Sequence, residues 1–248
     1  MNATPGGVMA GLSLARRGVS KAWASPEVRR TYLHLILVLV AVASLLDIVG
    51  IWSVVALTRT AGDTPWWQIV AMVLLRIAGI GIVLLVAPIV AMVVVNLVFP
   101  MLSDRVFFAG MREVAPLRAA ALAAAPGLPL MRTVMNATLR LLAFVGLSLL
   151  LFILSLVPVV GSVAGPALQA WRSALMLSWE LLDPYFDRLG LDRPGQRALL
   201  RKHQSTLLGF SLPFVFVMAI PIVGALAFGL AQAAIAMLVI EVIEAEPA

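Results

Sequence analysis

Hydrophobic residues run along this chain in helix-length stretches that polar residues interrupt only briefly. Residues 32–57 contain a single charged residue, Asp47, and residues 66–102 also contain a single one, Arg76. Each stretch exceeds the roughly 20 residues that an α-helix needs to cross the hydrocarbon core of a bilayer. The polar segment Thr58–Pro65 separates them as a turn and is followed by two tryptophans, which are typical anchors at the membrane interface. The pattern predicts two membrane-spanning helices.

Two later regions, residues 141–182 and 207–243, are apolar but broken by proline and glycine. Their uninterrupted arms reach roughly 21–26 Å at about 1.5 Å per residue, which is less than the ~30 Å hydrocarbon core. We therefore expect two helical hairpins that are partly inserted and turn back at Pro158–Gly161 and at Pro221–Gly224. Two tight turns between crossing helices are the alternative.

A short internal repeat links the two hairpins. PVVGSVAGPALQA, at residues 158–170, aligns without gaps on PIVGALAFGLAQA, at residues 221–233, with proline, glycine and glutamine at matching positions. Paired segments broken by proline and glycine are typical of transporter-like architectures, in which irregular backbone faces protein or water. Chance similarity between two alanine-rich segments is the alternative.

The N-terminal region mixes apolar and basic residues. Residues 6–23 resemble a helix that lies in the membrane interface, with a frayed basic tail as the alternative. Ser25 and Pro26 have the types preferred at a helix N-cap and first helical position, so the first spanning helix should run over residues 26–57. We expect residues 1–248 to form one all-α membrane domain.

Basic residues are distributed unevenly between the apolar stretches. Three groups precede the first span, follow the second span and separate the two hairpins, whereas the loop between the spans contains only Arg59. The groups are Arg16, Arg17, Lys21, Arg29 and Arg30; Arg105, Arg112, Arg118, Arg132 and Arg140; and Arg188, Arg193, Arg197, Arg201 and Lys202. Because cytoplasmic loops are enriched in lysine and arginine, this predicts cytoplasmic termini and one external loop.

The composition narrows the chemistry further. The chain is 62% hydrophobic with a mean hydropathy of +1.05, against roughly 45–50% apolar residues in soluble domains. With no cysteine, disulfides, iron–sulfur clusters and c-type haem are excluded. His34 and His203 lack metal-ligand spacing, so we expect no metal, no cofactor and no enzymatic activity. The net charge of +6 comes without a nucleic-acid motif, and we expect lipid headgroups as partners instead.

Asp47 and Arg76 are the charges deepest in the two spans. Each lies ten residues from the external turn, which would place both at a similar depth on antiparallel helices. Burying either charge alone is costly, so we expect an intramembrane charge pair. Both a functional pair and a static pair that locks the helices remain open.

The start of the first span offers an oxyanion site. A helix N-terminus presents free N–H groups, and here Arg29 and Arg30 follow it closely, so Glu27, Val28, Arg29 and Arg30 could bind a tetrahedral anion. The alternative is that these basic residues anchor the span at the headgroups. Glu27 counts against an anion, because its carboxylate could occupy the same N–H groups.

Four longer motifs carry a family resemblance. They are VFPMLSDRV at 98–106, VPVVG at 157–161, WELLDPYFDRLG at 179–190 and RALLRKHQSTLLGF at 197–210. Together they resemble the CysZ / etoposide-induced membrane protein family over roughly residues 10–243. The resemblance implies a bacterial inner-membrane protein with two complete spans, two partly inserted hairpins, cytoplasmic termini and a homo-oligomeric state.

The resemblance also implies sulfate uptake for cysteine synthesis. In the family, a Gly-Leu-Arg-Arg stretch after the first proline is associated with sulfate binding, and the matching positions are Glu27, Val28, Arg29 and Arg30. The two arginines match, whereas the glycine position is Glu27. Two functions remain open: a permease or channel for a small oxyanion, and a non-transporting scaffold that interacts with lipids.

Overall fold

The structure is a computed structural model that describes residues 7–59, 65–98, 100–155 and 160–245. In these ranges the regular elements are ten α-helices and a closing π-helix at Val239–Ile243. The α-helices are α1 Val8–Ala24, α2 Pro26–Leu57, α3 Trp66–Val98, α4 Pro100–Val114, α5 Pro116–Ala124, α6 Leu130–Ser155, α7 Val160–Arg188, α8 Arg193–Lys202, α9 Gln204–Met218 and α10 Pro221–Leu238.

Within the described residues, three segments are long and apolar enough to cross a membrane: Pro26–Leu57, Trp66–Val95 and Leu226–Ile243. The first two expose large apolar side chains along most of their length, as helices that face lipid do. The predicted all-α membrane class is therefore confirmed. The structure describes α3 as far as Val98 and α4 from Pro100, and Phe99 lies outside the described residues, so the predicted end of the second span at residue 102 stays a prediction.

Two glycines set the register between α2 and α3. A Cβ atom on Gly50 would lie 2.7 Å from Val83 Cγ1, and one on Gly79 would lie 2.9 Å from Val54 Cγ1. On two antiparallel helices, residues at the same depth have numbers with a constant sum, and both contacts give the sum 133. By the same rule, Arg76 lies level with Leu57. The first ten residues of α3 therefore extend beyond the end of α2.

The second hairpin, α9 and α10, forms the centre of the bundle. Residues 231–239 are all buried, between α1, α4, α7 and α9. The helices α1 and α9 approach so closely that a Cβ atom on Gly209 would overlap the carbonyl oxygen of Val8. α1 is thus an ordered helix packed on protein through one face, not a frayed tail; whether its other face lies in the membrane interface stays a prediction.

In the first hairpin, α6 lies at the periphery, whereas α7 packs in the core. None of the α6 side chains that the structure describes is buried, and α6 packs chiefly against α7. α7 joins the core through buried apolar side chains such as Leu181 and Phe186, and Ser178 Oγ also lies 2.8 Å from Ser211 Oγ of α9. Ser178 also donates to Ala174 O, so this buried hydroxyl is satisfied.

The Pro-x-x-Gly motifs were predicted to form the turns of the two hairpins, but their described residues lie at the start of the returning helices. α10 begins at Pro221, and the chain turns one step earlier, at Ala219 and Ile220. Gly224 lies in the first turn of α10, where its N–H donates to Ile220 O at 2.6 Å. The predicted turn at Pro221–Gly224 is therefore the start of the returning helix, because proline lacks the N–H that a first helical residue leaves unpaired. In the first hairpin, Pro158 lies outside the described residues, and Gly161 lies in the first turn of α7.

Ion pairs tie the helix ends together at one end of the bundle. Arg17 donates to both carboxylate oxygens of Glu241, at 3.3 and 2.8 Å, and Arg118 donates to Glu244 at 2.8 Å. Burial and the neighbouring Glu244 carboxylate raise the pKa of Tyr185, whose hydroxyl donates to Glu244. The region around α5 and the C-terminal residues therefore lie on the same side of the molecule.

Candidate anion-binding site

The backbone at the start of α2 is largely satisfied from within. Ser25 Oγ accepts from the N–H of Val28 at 3.4 Å, and Ser25 O accepts from the N–H of Arg29 at 3.1 Å. Pro26 has no N–H to offer. Of the first-turn amides, the N–H of Glu27 is therefore the one left for a ligand.

Glu27 does not cap the helix. Its Oε1 accepts from Arg112 of α4, at 2.6 Å from Nε and 2.5 Å from Nη2. The carboxylate therefore points to α4, not to the N–H groups of α2, and the Arg112 guanidinium compensates its charge. The objection raised by the sequence, that Glu27 would occupy the N–H groups itself, does not hold for this geometry.

The remaining residues of the predicted site separate into two roles. Arg29 and Arg30 are exposed and have no ion-pair partner among the described residues. Val28 is 1% exposed and packs in an apolar cluster with Leu35 and Val95, so its side chain stabilises the fold. The arrangement leaves two free guanidinium groups and one backbone N–H at this helix end.

The predicted pair between Asp47 and Arg76 is wrong. Arg76 donates from Nε to Thr58 Oγ1 at 2.9 Å and from Nη2 to Thr58 O at 2.7 Å, at the C-terminal end of α2. Asp47 Oδ1 is buried without a hydrogen-bond partner in the described residues. The reason is the register, which sets Asp47 level with Val86 and roughly 15 Å in depth from Arg76.

The structure also brings three basic residues of the predicted cytoplasmic loop next to a fourth, Arg172, in the first hairpin. A cavity of about 530 Å³ between α6, α7, α8 and α9 is lined by Arg172, Arg193, Arg197 and Arg201. Three of these residues follow at a spacing of four, which is the period of one helix face. That spacing was the available signal; the contribution of Arg172 needed the tertiary structure.

Two of the sequence motifs meet at the junction of α4 and α7. Burial raises the pKa of Asp104 to about 6, with Asp187 adding to the increase, Arg188 opposing it and Asp183 adding further. Arg188 is held in place because it donates to Ala125 O at 3.0 Å and lies 5.5 Å from the centre of the Phe108 ring. The motif residues thus form a charged junction, not a separate ligand site.

These observations define an all-α membrane protein whose free basic side chains gather at helix ends. The chain belongs to the family described as Sulfate transporter CysZ/Etoposide-induced protein 2.4, whose model matches residues 14–228. A search of curated proteins found no match. The family resemblance read from the sequence motifs is confirmed.

Proposed function

We propose that this chain is a permease or channel for a small oxyanion, sulfate in particular, and that it supplies sulfur assimilation. It would act in a bacterial inner membrane as a homo-oligomer with cytoplasmic termini. The family supports membrane transport of this kind. The unequal distribution of basic residues supports the orientation.

The observation that carries the proposal is the state of the α2 N-terminus. Arg112 engages Glu27, while Arg29 and Arg30 keep no acidic partner among the described residues. Two free guanidinium groups beside a helix N-terminus match the charge and hydrogen-bond needs of a tetrahedral anion. Glu27 stands at the glycine position of the family motif. Because its carboxylate is paired with Arg112, it does not compete with that anion for the helix N-terminus.

The test compares sulfate uptake into vesicles reconstituted with the native chain and with Arg29→Ala plus Arg30→Ala. Losing two charge-assisted contacts should weaken sulfate binding by on the order of a hundredfold and lower uptake at low sulfate accordingly. Arg16→Ala plus Lys21→Ala is the matched control, because it removes two exposed charges of α1. Equal uptake by the two double variants would reject Arg29 and Arg30 as the site.

A lipid-interacting scaffold is the second candidate, and one groove favours it. An open groove of about 1070 Å³ runs between α1 and α9, with Met9, Leu12 and Phe214 as apolar lining and Arg16 and Lys21 at its polar positions. This combination suits an acyl chain with an anionic headgroup. Vesicles that show no sulfate flux, together with protein that retains anionic lipid through purification, would favour this function.

A further inference from the structure

The cavity between α6, α7, α8 and α9 is strongly cationic. It holds about 530 Å³, and four arginine side chains line it: Arg172 of α7 and Arg193, Arg197 and Arg201 of α8. No aspartate or glutamate is among the described residues that line it. Trp171 and Trp179 contribute aromatic surface to the same wall. No residue of α2 lines the cavity, so it is separate from Arg29 and Arg30.

The fold holds α8 in the orientation that turns its arginines toward α7. Asp192 caps the helix by accepting from the N–H of Gly195 at 2.9 Å. Gln196 is 2% exposed; it accepts from Trp179 Nε1 at 2.7 Å and donates to Leu191 O at 3.0 Å. Because Arg193, Arg197 and Arg201 follow one another at a spacing of four, their side chains share one face of α8.

The cavity arginines have no carboxylate in contact in the described part of the protein. None of the four arginines forms an ion pair there. The Nε atoms of Arg172 and Arg193 are buried and have no acceptor. Buried polar groups almost always have a hydrogen-bond partner, and clustered like charges repel one another. An anion in the cavity would supply the missing acceptors and relieve the repulsion.

We infer that this cavity binds a tetrahedral oxyanion group, either a free sulfate or phosphate or the phosphate of a lipid headgroup. Guanidinium groups donate paired hydrogen bonds to such oxygens, and several arginines can surround one tetrahedral group. The volume far exceeds that of a single water, about 30 Å³, and leaves room for the anion with bound water or for a headgroup. The site exists whether or not Arg29 and Arg30 carry transport.

The experiment measures binding to the delipidated full chain by titration calorimetry in neutral detergent. One arm titrates sodium sulfate and sodium phosphate, with sodium chloride at equal ionic strength as the reference. The other arm titrates short-chain phosphatidic acid, with phosphatidylcholine of the same chain length as the reference. Binding in the first arm identifies a free oxyanion, and binding in the second alone identifies a headgroup.

The variant Arg172→Gln plus Arg197→Gln should lose on the order of a hundredfold in affinity for whichever probe binds. Arg59→Gln plus Arg105→Gln is the matched control, because both side chains are exposed and neither lines the cavity. Sulfate bound at the start of α2 remains in both double variants, so the difference between them reports the cavity alone, and a failure of transport and a failure of the cavity site are told apart. In chloride, the unfolding temperature of the cavity variant should equal or exceed that of the native chain, because the variant relieves the repulsion between the arginines.

The single variant Arg197→Gln is a second test that should fold normally, because this side chain is exposed. It should lower the affinity for the same probe roughly tenfold. Equal affinities of the native chain and a folded cavity variant for sulfate, phosphate and phosphatidic acid would overturn the assignment. So would the absence of binding of all three probes to the native chain.

Discussion

The two hairpins share repeat positions but differ in their surroundings. Residues 231–239, which run from α10 into the first residue of the π-helix, are buried without interruption, whereas the described side chains of α6 include none that is buried. The repeat glutamines show the same contrast. Gln232 Nε2 donates across to Leu181 O of the other hairpin at 3.2 Å, while Gln169 Nε2 donates to Ser148 within its own hairpin at 3.0 Å.

This difference separates a structural centre from an adaptable edge. The second hairpin holds α1, α4 and α7 together, so its side chains determine the stability of the fold. The first hairpin has fewer packing partners, and the arginine-lined cavity opens beside it. A loosely packed wall next to arginines that no described carboxylate contacts is where a ligand can be accommodated at little cost to the core.

The largest expected effect comes from filling a close helix contact. Gly209→Ala in α9 should destabilise the protein by more than about 3 kcal/mol or prevent folding, because its Cβ atom would overlap the backbone of α1. Gly146→Ala in α6 is the matched control, since a Cβ atom there meets nothing within 4 Å. It should be neutral or stabilise by about 0.5–1 kcal/mol. Unfolding in detergent measures both, and similar losses would remove the contrast between the hairpins.

The repeat glutamines give an intermediate effect. Gln232→Ala should cost about 2–3 kcal/mol, because it leaves a cavity in the core and removes the hydrogen bond that Gln232 donates to the Leu181 carbonyl. Gln169→Ala should cost about 1 kcal/mol, because its site is only half-buried and the change removes one hydrogen bond, the one that Ser148 Oγ accepts. The free energy of unfolding in a denaturant series checks this order. A larger loss at Gln169 would mean that the first hairpin bears more of the fold than its burial indicates.

The junction between the core and the first hairpin should depend on pH. Asp104 has an ordinary pKa of 3.8 when unfolded and a pKa of about 6 when folded, so the folded state holds its proton more tightly. Stability from this group is complete below about pH 4 and is lost as pH rises to about 6. Asp104→Asn should therefore stabilise the protein by roughly 2 kcal/mol at pH 8 and leave it unchanged at pH 4.

The measurement for Asp104 is thermal unfolding between pH 4 and pH 8. Asp192→Asn is a suitable control, because Asp192 is an exposed helix cap and the amide keeps an acceptor oxygen. A native stability that does not change between pH 4 and pH 8, with Asp104→Asn giving the same curve, would show that Asp104 does not limit the contact between α4 and α7.

Local chemistry made part of this structure predictable. Ser25 and Pro26 start α2 as their residue types indicate, since a hydroxyl acceptor and a missing N–H suit those two positions. The length and hydropathy of the two spans follow from the same kind of local rule. The motifs that carry the family resemblance are also contiguous, so no tertiary structure was needed to read them.

Contacts between distant residues could not be read this way. The depth of Asp47 relative to Arg76 depends on how Gly50 and Gly79 seat α3 against α2, and counting from the turn gave the wrong register. The partner of Glu27 is Arg112, which lies 85 residues away.

The sequence by itself determined the membrane class, the starts of the spans and the family, because hydropathy and helix capping act within a few neighbouring residues. Only the tertiary structure decided which hairpin is central, which charges are paired and where Arg172 meets the arginines of α8. Those outcomes depend on how whole helices pack, and the free energy of packing sums over many contacts that no single motif contains.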